Sequence, residues 1–493
     1  MMNLLSDNFI STTTGKISLK ELLTSESDYQ LQYAFDEIQL AMLQLLASLS
    51  TVVLKPTLDE LKTYLKQGLT EAQYDQALQK VDLQWFDEAC FMRSTFPDSE
   101  KVAEAPVTKM ISGIECGTSP NALGLFSEIT QAEVICPDCT HALNYNLHMN
   151  IKGECFGPTG ATGIRGGGAI STLIAGTNLK TTILANTVAV DYFNNEREIK
   201  APNNKLMWQE PIQGDIYYAH HIGLERGLFA LAYHINFLVI DTPCTCDVCG
   251  HKSAQSVKEF IRLKYKGSYA STKKGRDGNA KWWPHPYTPI TTKEEGVFPV
   301  CARDQNWQSW QNFSSYVLAQ ETDKSLSTPA YIVRQYRKLA TGGGNLLIGG
   351  NIADQGSITG RIYDLYSMPE HWENNKLERV TKVIDAGLNV KDRLSQALNK
   401  MFGAGYDKNF VSGIKSTAMN QYISNAQNIV QQLLLDVDRK EARELRKMAL
   451  EQLKSEAKII YSTLMRKYQS DLPLFKALAK GEKVLLAVNK VKN

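Results

Sequence analysis

The sequence predicts an α+β protein: a mixed α/β body over residues 1–370, carrying a metal-binding segment, followed by a four-helix bundle over residues 371–493. Three observations carry that prediction. Apolar residues recur at three- and four-residue steps through the last quarter of the chain. The body mixes such segments with short β-branched runs, and it holds two widely separated Cys-x-x-Cys pairs. A chain of 493 residues also exceeds what one hydrophobic core usually serves.

In the body, the stretches DEIQLAMLQLLASLSTVVL, TLDELKTYLKQG and TEAQYDQALQKV read as helices, the last two opening on a threonine suited to an N-cap. TTILANTVAV and HINFLVIDT read as strands. Glycine concentrates in CFGPTGATGIRGGG and TGGGNLLIGGNIADQGSITG, which excludes regular helix there and lets backbone approach a ligand closely. The boundary is expected near YSMPEHWENN. Beyond it come four amphipathic segments, with Met419, Ile423, Ala426, Val430, Leu433 and Leu434 forming the second stripe. Leu445, Met448, Leu453, Ala457, Ile460 and Leu464 form the third, and Pro473 opens the fourth.

Charge is unevenly placed. Residues 371–493 carry a net +9 and residues 1–370 a net −7, which a total of +2 conceals. A basic tail suits contact with phosphates, and a solvated Lys-rich helical surface suits it equally. No run approaches the roughly 18 apolar residues of a membrane span, and the first residues lack the basic and apolar regions of a secretory signal. A cytoplasmic location and no membrane partner are therefore expected.

Cys136 and Cys139 in ICPDC and Cys246 and Cys249 in CDVCG supply the four thiolates of a tetrahedral structural zinc site; four unbound thiols are the competing reading. Cys244 and His251 flank the second pair as substitute ligands. Catalytic zinc is disfavoured: no His-x-Glu precedes the first pair as a nucleobase deaminase requires, and His-Glu-x-x-His is absent. Neither glycine-rich segment has the Lys-Ser/Thr ending of a P-loop.

Between the second pair and WWPHPYTP, Lys258, Arg262, Lys264, Lys266, Lys273, Lys274, Arg276 and Lys281 interleave with Phe260, Tyr265, Tyr269, Trp282 and Trp283. Cations for phosphates and planar rings for bases make this a nucleic-acid-like composition, against the reading of a solvated basic hairpin. His220, His221, His234 and His285 read as structural.

In this order, MNLLSDNFI, CPDC, GIRGGG, RGLFALAYHI, the second Cys pair and WWPHPYTP resemble the CasA family, the large subunit of the type I-E CRISPR surveillance complex Cascade. The similarity runs from Met2 to the helical tail. It implies a subunit without enzymatic activity that recognises the protospacer-adjacent motif of duplex DNA from the minor-groove side. It also implies that the subunit helps to open the duplex for guide-RNA pairing and recruits a helicase–nuclease. Target duplex, crRNA, the other Cascade subunits and that nuclease are the implied partners. A metal-dependent nuclease or DNA-modifying enzyme with a structural zinc is the alternative.

Carried over by position, the family's lysine finger falls on Lys264 in FIRLKYK. Its glutamine wedge falls on Gln355, flanked by Asp354 and Gly356. Its glycine loop falls on Gly157, Pro158, Thr159 and Gly160, and its docking loop for the guide-RNA end on Leu125, Phe126 and Ser127. Asp354 departs from the asparagine common at that place in the family.

Overall fold

The computed structural model describes all residues except 1, 97–101, 113–131, 152–155, 157–159, 162, 167, 197–202, 212–215, 218, 220–221, 266–267, 270–279, 282, 295, 303–306, 340–343, 355–356, 370–371 and 487–493. The chain forms two compact units. One comprises Met1–Gln305 with Ser315–Leu365, the other Asn306–Ser314 with Tyr366–Asn493.

The first unit mixes helices and strands around the helix Asp36–Leu54. Sixteen of that helix's nineteen residues are buried, so it is enclosed on nearly every side rather than lying at the surface. It is long and apolar enough to cross a membrane, contrary to the expectation from sequence, and 94% of its most apolar window is buried inside the unit. The two following helices, Leu58–Gln67 and Glu71–Leu78, begin as read. Thr57 with Glu60 and Thr70 with Gln73 form reciprocal capping boxes.

TTILANTVAV is not a strand. Its first part belongs to the helix Leu179–Asn186 and its end opens the helix Val190–Glu196. Asn178 explains the difference: its side chain accepts from the Thr181 amide as an N-cap. The Thr182 and Thr187 hydroxyls then bond back to carbonyls four residues earlier, which reconciles these β-branched residues with a helix.

Two three-stranded sheets carry Lys264 and Asp354 among the predicted recognition residues. In the first, Ser256–Lys264 is the central strand, antiparallel to Ala103–Pro106 on one side and Tyr233–Ile240 on the other. HINFLVIDT thus supplies the strand expected of it. In the second, Asn345–Asp354 lies between Ser171–Ala175 and Ser357–Tyr366. Residues 355–356, between its last two strands in sequence, lie outside the described residues.

The second unit is helical: Asn374–Leu398, Lys408–Leu434, Ala442–Lys467 and Leu472–Leu486. The first of these packs against each of the other three. The buried stripes lie close to the expected ones, but Ala418 and Tyr422 take the place of Met419, and Ala449 and Tyr461 those of Met448 and Leu464. The segment Asn306–Ser314 is an unforeseen contributor. Trp310 is fully buried and donates from Nε1 to the Ile423 carbonyl at 2.9 Å. A Cβ at Gly387 would lie 2.8 Å from the Trp310 ring, so that position requires glycine.

Trp310→Ala is expected to destabilise the helical unit by about 3–5 kcal/mol, the usual cost of emptying a buried tryptophan site. Denaturant unfolding followed by helical circular dichroism checks this; an unchanged midpoint would contradict the packing role.

Candidate metal centre and the strand that leads from it

Both Cys-x-x-Cys pairs sit on tight turns. After Cys136 the chain turns so that the Cys139 amide donates to the Cys136 carbonyl at 3.1 Å, and Cys139 opens the helix Cys139–Met149. In the second turn the Cys246 amide donates to the His251 carbonyl at 2.9 Å and the Gly250 amide to the Cys246 carbonyl at 2.8 Å. Gly250 has φ +75°, a conformation that favours glycine and closes the turn.

Backbone pairing brings the turns together. Ile135 and Val257 exchange both amide–carbonyl bonds at 2.9–3.0 Å. The Asp247 amide donates to the Val134 carbonyl at 2.9 Å, while the Asp247 carboxylate accepts from the Val134 amide at 2.8 Å.

The four sulfurs consequently lie within 4.8 Å of one another, all on buried residues. Cys136 Sγ is 3.8 Å from Cys249 Sγ, and Cys139 Sγ is 3.7 Å from Cys246 Sγ. A zinc ion bonded at about 2.3 Å to four tetrahedral sulfurs requires edges of roughly 3.8 Å, whereas a disulfide requires about 2.05 Å. The donor set therefore fits a closed four-thiolate metal site.

Electrostatics agrees with the distances. Hydrogen bonding with Cys136, Cys246 and Cys249, together with burial, pushes the Cys139 thiol well up, whereas hydrogen bonds from neighbouring sulfurs lower Cys246 and Cys249, and a bound cation would favour the thiolate form of all four. Cys244 is not a ligand: its thiol faces the Gln255 carbonyl at 3.5 Å. His251 serves through its backbone. Lys16, paired with Asp138 between the first two cysteines, is a supporting residue that sequence reading did not reveal, because 122 positions separate the partners.

From this centre the strand Ser256–Lys264 runs outward. Val257 stands beside the cysteines and Lys264 at the far end, so the two features are separated by roughly 23 Å of extended chain. Lys264 is exposed and pairs across the sheet with Tyr233. The Tyr233 hydroxyl accepts from the Ala161 amide at 2.7 Å, which ties the half-buried Gly160 and its neighbour to the same end of the sheet. Arg262 stacks on Phe156 at 4.0 Å from the ring centroid, and Phe156 packs against Tyr233 at 5.6 Å. One tyrosine thus bonds the glycine segment at Ala161 through its hydroxyl and pairs with Lys264 through its strand.

Other predicted residues divide sharply. Asp354 ends the strand Asn345–Asp354. Gly157, Pro158, Thr159, Gln355, Gly356, Leu125, Phe126 and Ser127 lie outside the described residues, as do His220, His221, Trp282, Lys266, Lys273, Lys274 and Arg276. Phe260, Tyr265, Tyr269 and Trp283 are buried in the core, so they are not exposed stacking platforms, and Arg262 is buried as well. Of the basic stretch, Lys258 and Lys264 are exposed among the described side chains.

His234 and His285 are buried, His234 against Tyr265 with ring centroids 4.0 Å apart and His285 beside Trp283 and Tyr287. Arg165 of GIRGGG is buried too, bonded to Asn150, Ser171 and Thr288, and burial lowers its pKa to about 10.

A model of the family described as CRISPR-associated protein Cse1 matches residues 3–459. Among solved structures, CasA (Cse1) of Thermus thermophilus is similar at TM-score 0.70 with 13% identity, 98% of each chain being covered. Cse1 of Acidimicrobium ferrooxidans is similar at TM-score 0.68 with 13% identity over 98% of this chain and 97% of that one. A chain of a CRISPR RNA-guided surveillance complex is similar at TM-score 0.65 with 13% identity over 99% of both.

Metal analysis of the purified protein should find about one zinc per chain, reduced by Cys136→Ser. Acidification should release it, because protons compete with the metal for thiolates. A protein that is metal-free as isolated at neutral pH would overturn the assignment.

Proposed function

The chain belongs to the family of CRISPR-associated protein Cse1, the CasA large subunit of the type I-E surveillance complex Cascade, and from that premise we propose that it reads the protospacer-adjacent motif of duplex DNA. In this reading it approaches from the minor groove, helps to separate the first base pairs and recruits the helicase–nuclease. It works beside crRNA and the other Cascade subunits in the cytoplasm. The observation that carries the proposal is the end of the central strand, where Tyr233 holds the Gly160–Ala161 backbone beside the exposed Lys264. A cation and a close backbone are what a narrow groove lined with acceptors and flanked by phosphates accommodates.

Gln355 completes the proposal. It follows the strand Asn345–Asp354 in sequence, and in this reading its side chain is pushed beneath a base pair. Unstacking costs a few kcal/mol per step, so such a wedge needs contacts that hold the duplex, and Lys264 and the glycine segment would supply them. Asp354 adjoins the wedge as a negative charge, which limits how near phosphates can come. Leu125, Phe126 and Ser127 are assigned to docking on the guide-RNA end.

The zinc is structural: Cys136, Cys139, Cys246 and Cys249 would hold it, leaving no open position for a reacting water. The C-terminal helices, taken as a four-helix bundle with a net charge of +9 over residues 371–493, would face the displaced strand or partner subunits. No bond chemistry is assigned to the chain itself.

In reconstituted complexes, Lys264→Ala and Gln355→Ala should each weaken binding to a closed, motif-bearing duplex by about 1–3 kcal/mol, with much smaller losses on a pre-opened target. Gel shifts on the two substrates measure this, and equal losses on both would contradict a role in motif reading or opening. With Mg²⁺ or Mn²⁺ the purified chain should leave duplex DNA intact. Cleavage abolished by replacing one Asp or Glu would favour the metal-dependent nuclease instead.

A further inference from the structure

A cavity of about 490 Å³ opens in the first unit beside the strand Tyr233–Ile240. It uses none of the residues assigned to the metal, to the motif or to docking. Its walls are aromatic: the half-buried Trp85 and Phe96, then Trp208 and His234, with Tyr265 stacked on His234 at 4.0 Å between ring centroids. Hydrogen bonds hold three of these rings in place. Trp208 donates from Nε1 to the Trp85 carbonyl at 2.8 Å, and Trp85 donates from Nε1 to the Asp82 carboxylate at 2.9 Å. His234 Nδ1 pairs with the Ser94 hydroxyl at 2.9 Å.

Among the described residues, Arg93 is the only permanently charged side chain on the wall, and no acidic side chain lines the cavity. Arg93 is half-buried, and no carboxylate pairs with it among those residues. Its guanidinium lies over the Phe237 ring at 5.5 Å from the centroid, a contact that leaves the N–H donors unbonded. Burial holds its pKa below the usual arginine value, while Glu88 and Cys90 act against that through space. A partly desolvated cation without a counterion is costly, and an anion beside it offsets that cost. Ser94 and Thr95 add hydroxyls next to it, and the exposed Asn236 adds an amide.

We propose that this cavity binds one nucleotide unit, its phosphate on Arg93 and Ser94 and its base against the rings of Trp85, Phe96 and Trp208. A guanidinium matches a phosphate with paired donors, and aromatic rings stack on any base. An amide such as that of Asn236 suits the polar edge of a base. The size lies within the range of small-ligand sites. An acidic peptide would satisfy Arg93 but leave the ring-lined wall without a planar partner. A free mononucleotide and a nucleotide within a single strand offer the same chemistry. Motif reading concerns duplex DNA, so this inference stands or falls whatever Lys264 and Gln355 do.

The test is calorimetric titration of the full chain with adenosine monophosphate, a short single-stranded oligodeoxyadenylate, adenosine and inorganic phosphate. The monophosphate, the oligonucleotide or both should bind saturably, with adenosine and phosphate each weaker by about tenfold or more. Arg93→Gln should weaken that binding by about tenfold or more, the usual effect of losing a hydrogen bond to a charged partner. Ala89 is an exposed residue of the wall, so Ala89→Glu brings a competing carboxylate to the guanidinium without emptying the core. It should weaken binding likewise, and it decides the matter should Arg93→Gln fail to fold.

Tighter binding of the oligonucleotide, lost in the same variants, assigns the site to a unit of a single strand. Binding of the monophosphate that is as tight or tighter assigns it to free nucleotides. The inference is overturned if neither probe binds saturably, if adenosine or phosphate alone binds as well as the monophosphate, or if binding survives both substitutions.

Discussion

The cluster of four sulfurs is the constraint on which the first unit depends most. It joins positions 107 residues apart along the chain, Cys139 and Cys246. In the chain-entropy description, a cross-link closing a loop of that length removes about 4–5 kcal/mol of unfolded-state freedom. The fold crowds four thiols, with neighbouring sulfurs and burial pushing Cys139 up while hydrogen bonds from neighbouring sulfurs lower Cys246 and Cys249, and a bound cation would favour the thiolate form of all four. The paired backbone of Ile135 and Val257 transmits this closure to the central strand Ser256–Lys264.

A second theme is how much of the conspicuous chemistry is spent inside. Arg165, Arg262 and most of the aromatic residues of the basic stretch lie in the core. Arg262 makes its contact with Phe156 and Tyr233 instead of with solvent, and Arg165 stitches the glycine-rich turn to Asn150, Ser171 and Thr288. Among the described side chains of that stretch, Lys258 and Lys264 are the exposed cations, with Lys264 at the end of its strand. A side chain held by a sheet presents its charge with less entropy to lose on binding than one carried on a loop.

Glu37 illustrates the same economy among acids. Burial pushes its carboxyl up, and hydrogen bonds from Ser112 and Asn146 act against that rise. Around it a polar network continues through Asn146 and Asn150 to Arg165, so that an acid and a base share one chain of amide side chains. Such a network is costly if incomplete and specific when every member is satisfied.

By itself the sequence determined the helical tail, the capped helices after Thr57 and Thr70, the four cysteines that cluster and the family. Each rests on a local period, a local turn or an ordered set of short motifs. Tertiary structure alone decided the rest. TTILANTVAV has the composition of a strand, yet Asn178 caps it into a helix. Trp310 crosses from the middle of the chain into the helical unit because Gly387 leaves room for its ring. Which of the basic stretch's rings and cations face solvent depends on strand register, and register is set by partners far away in sequence. The convergence of Ser112 and Arg361 on Glu37 was equally illegible, since contacts between residues 75 and 324 positions apart leave no periodic trace.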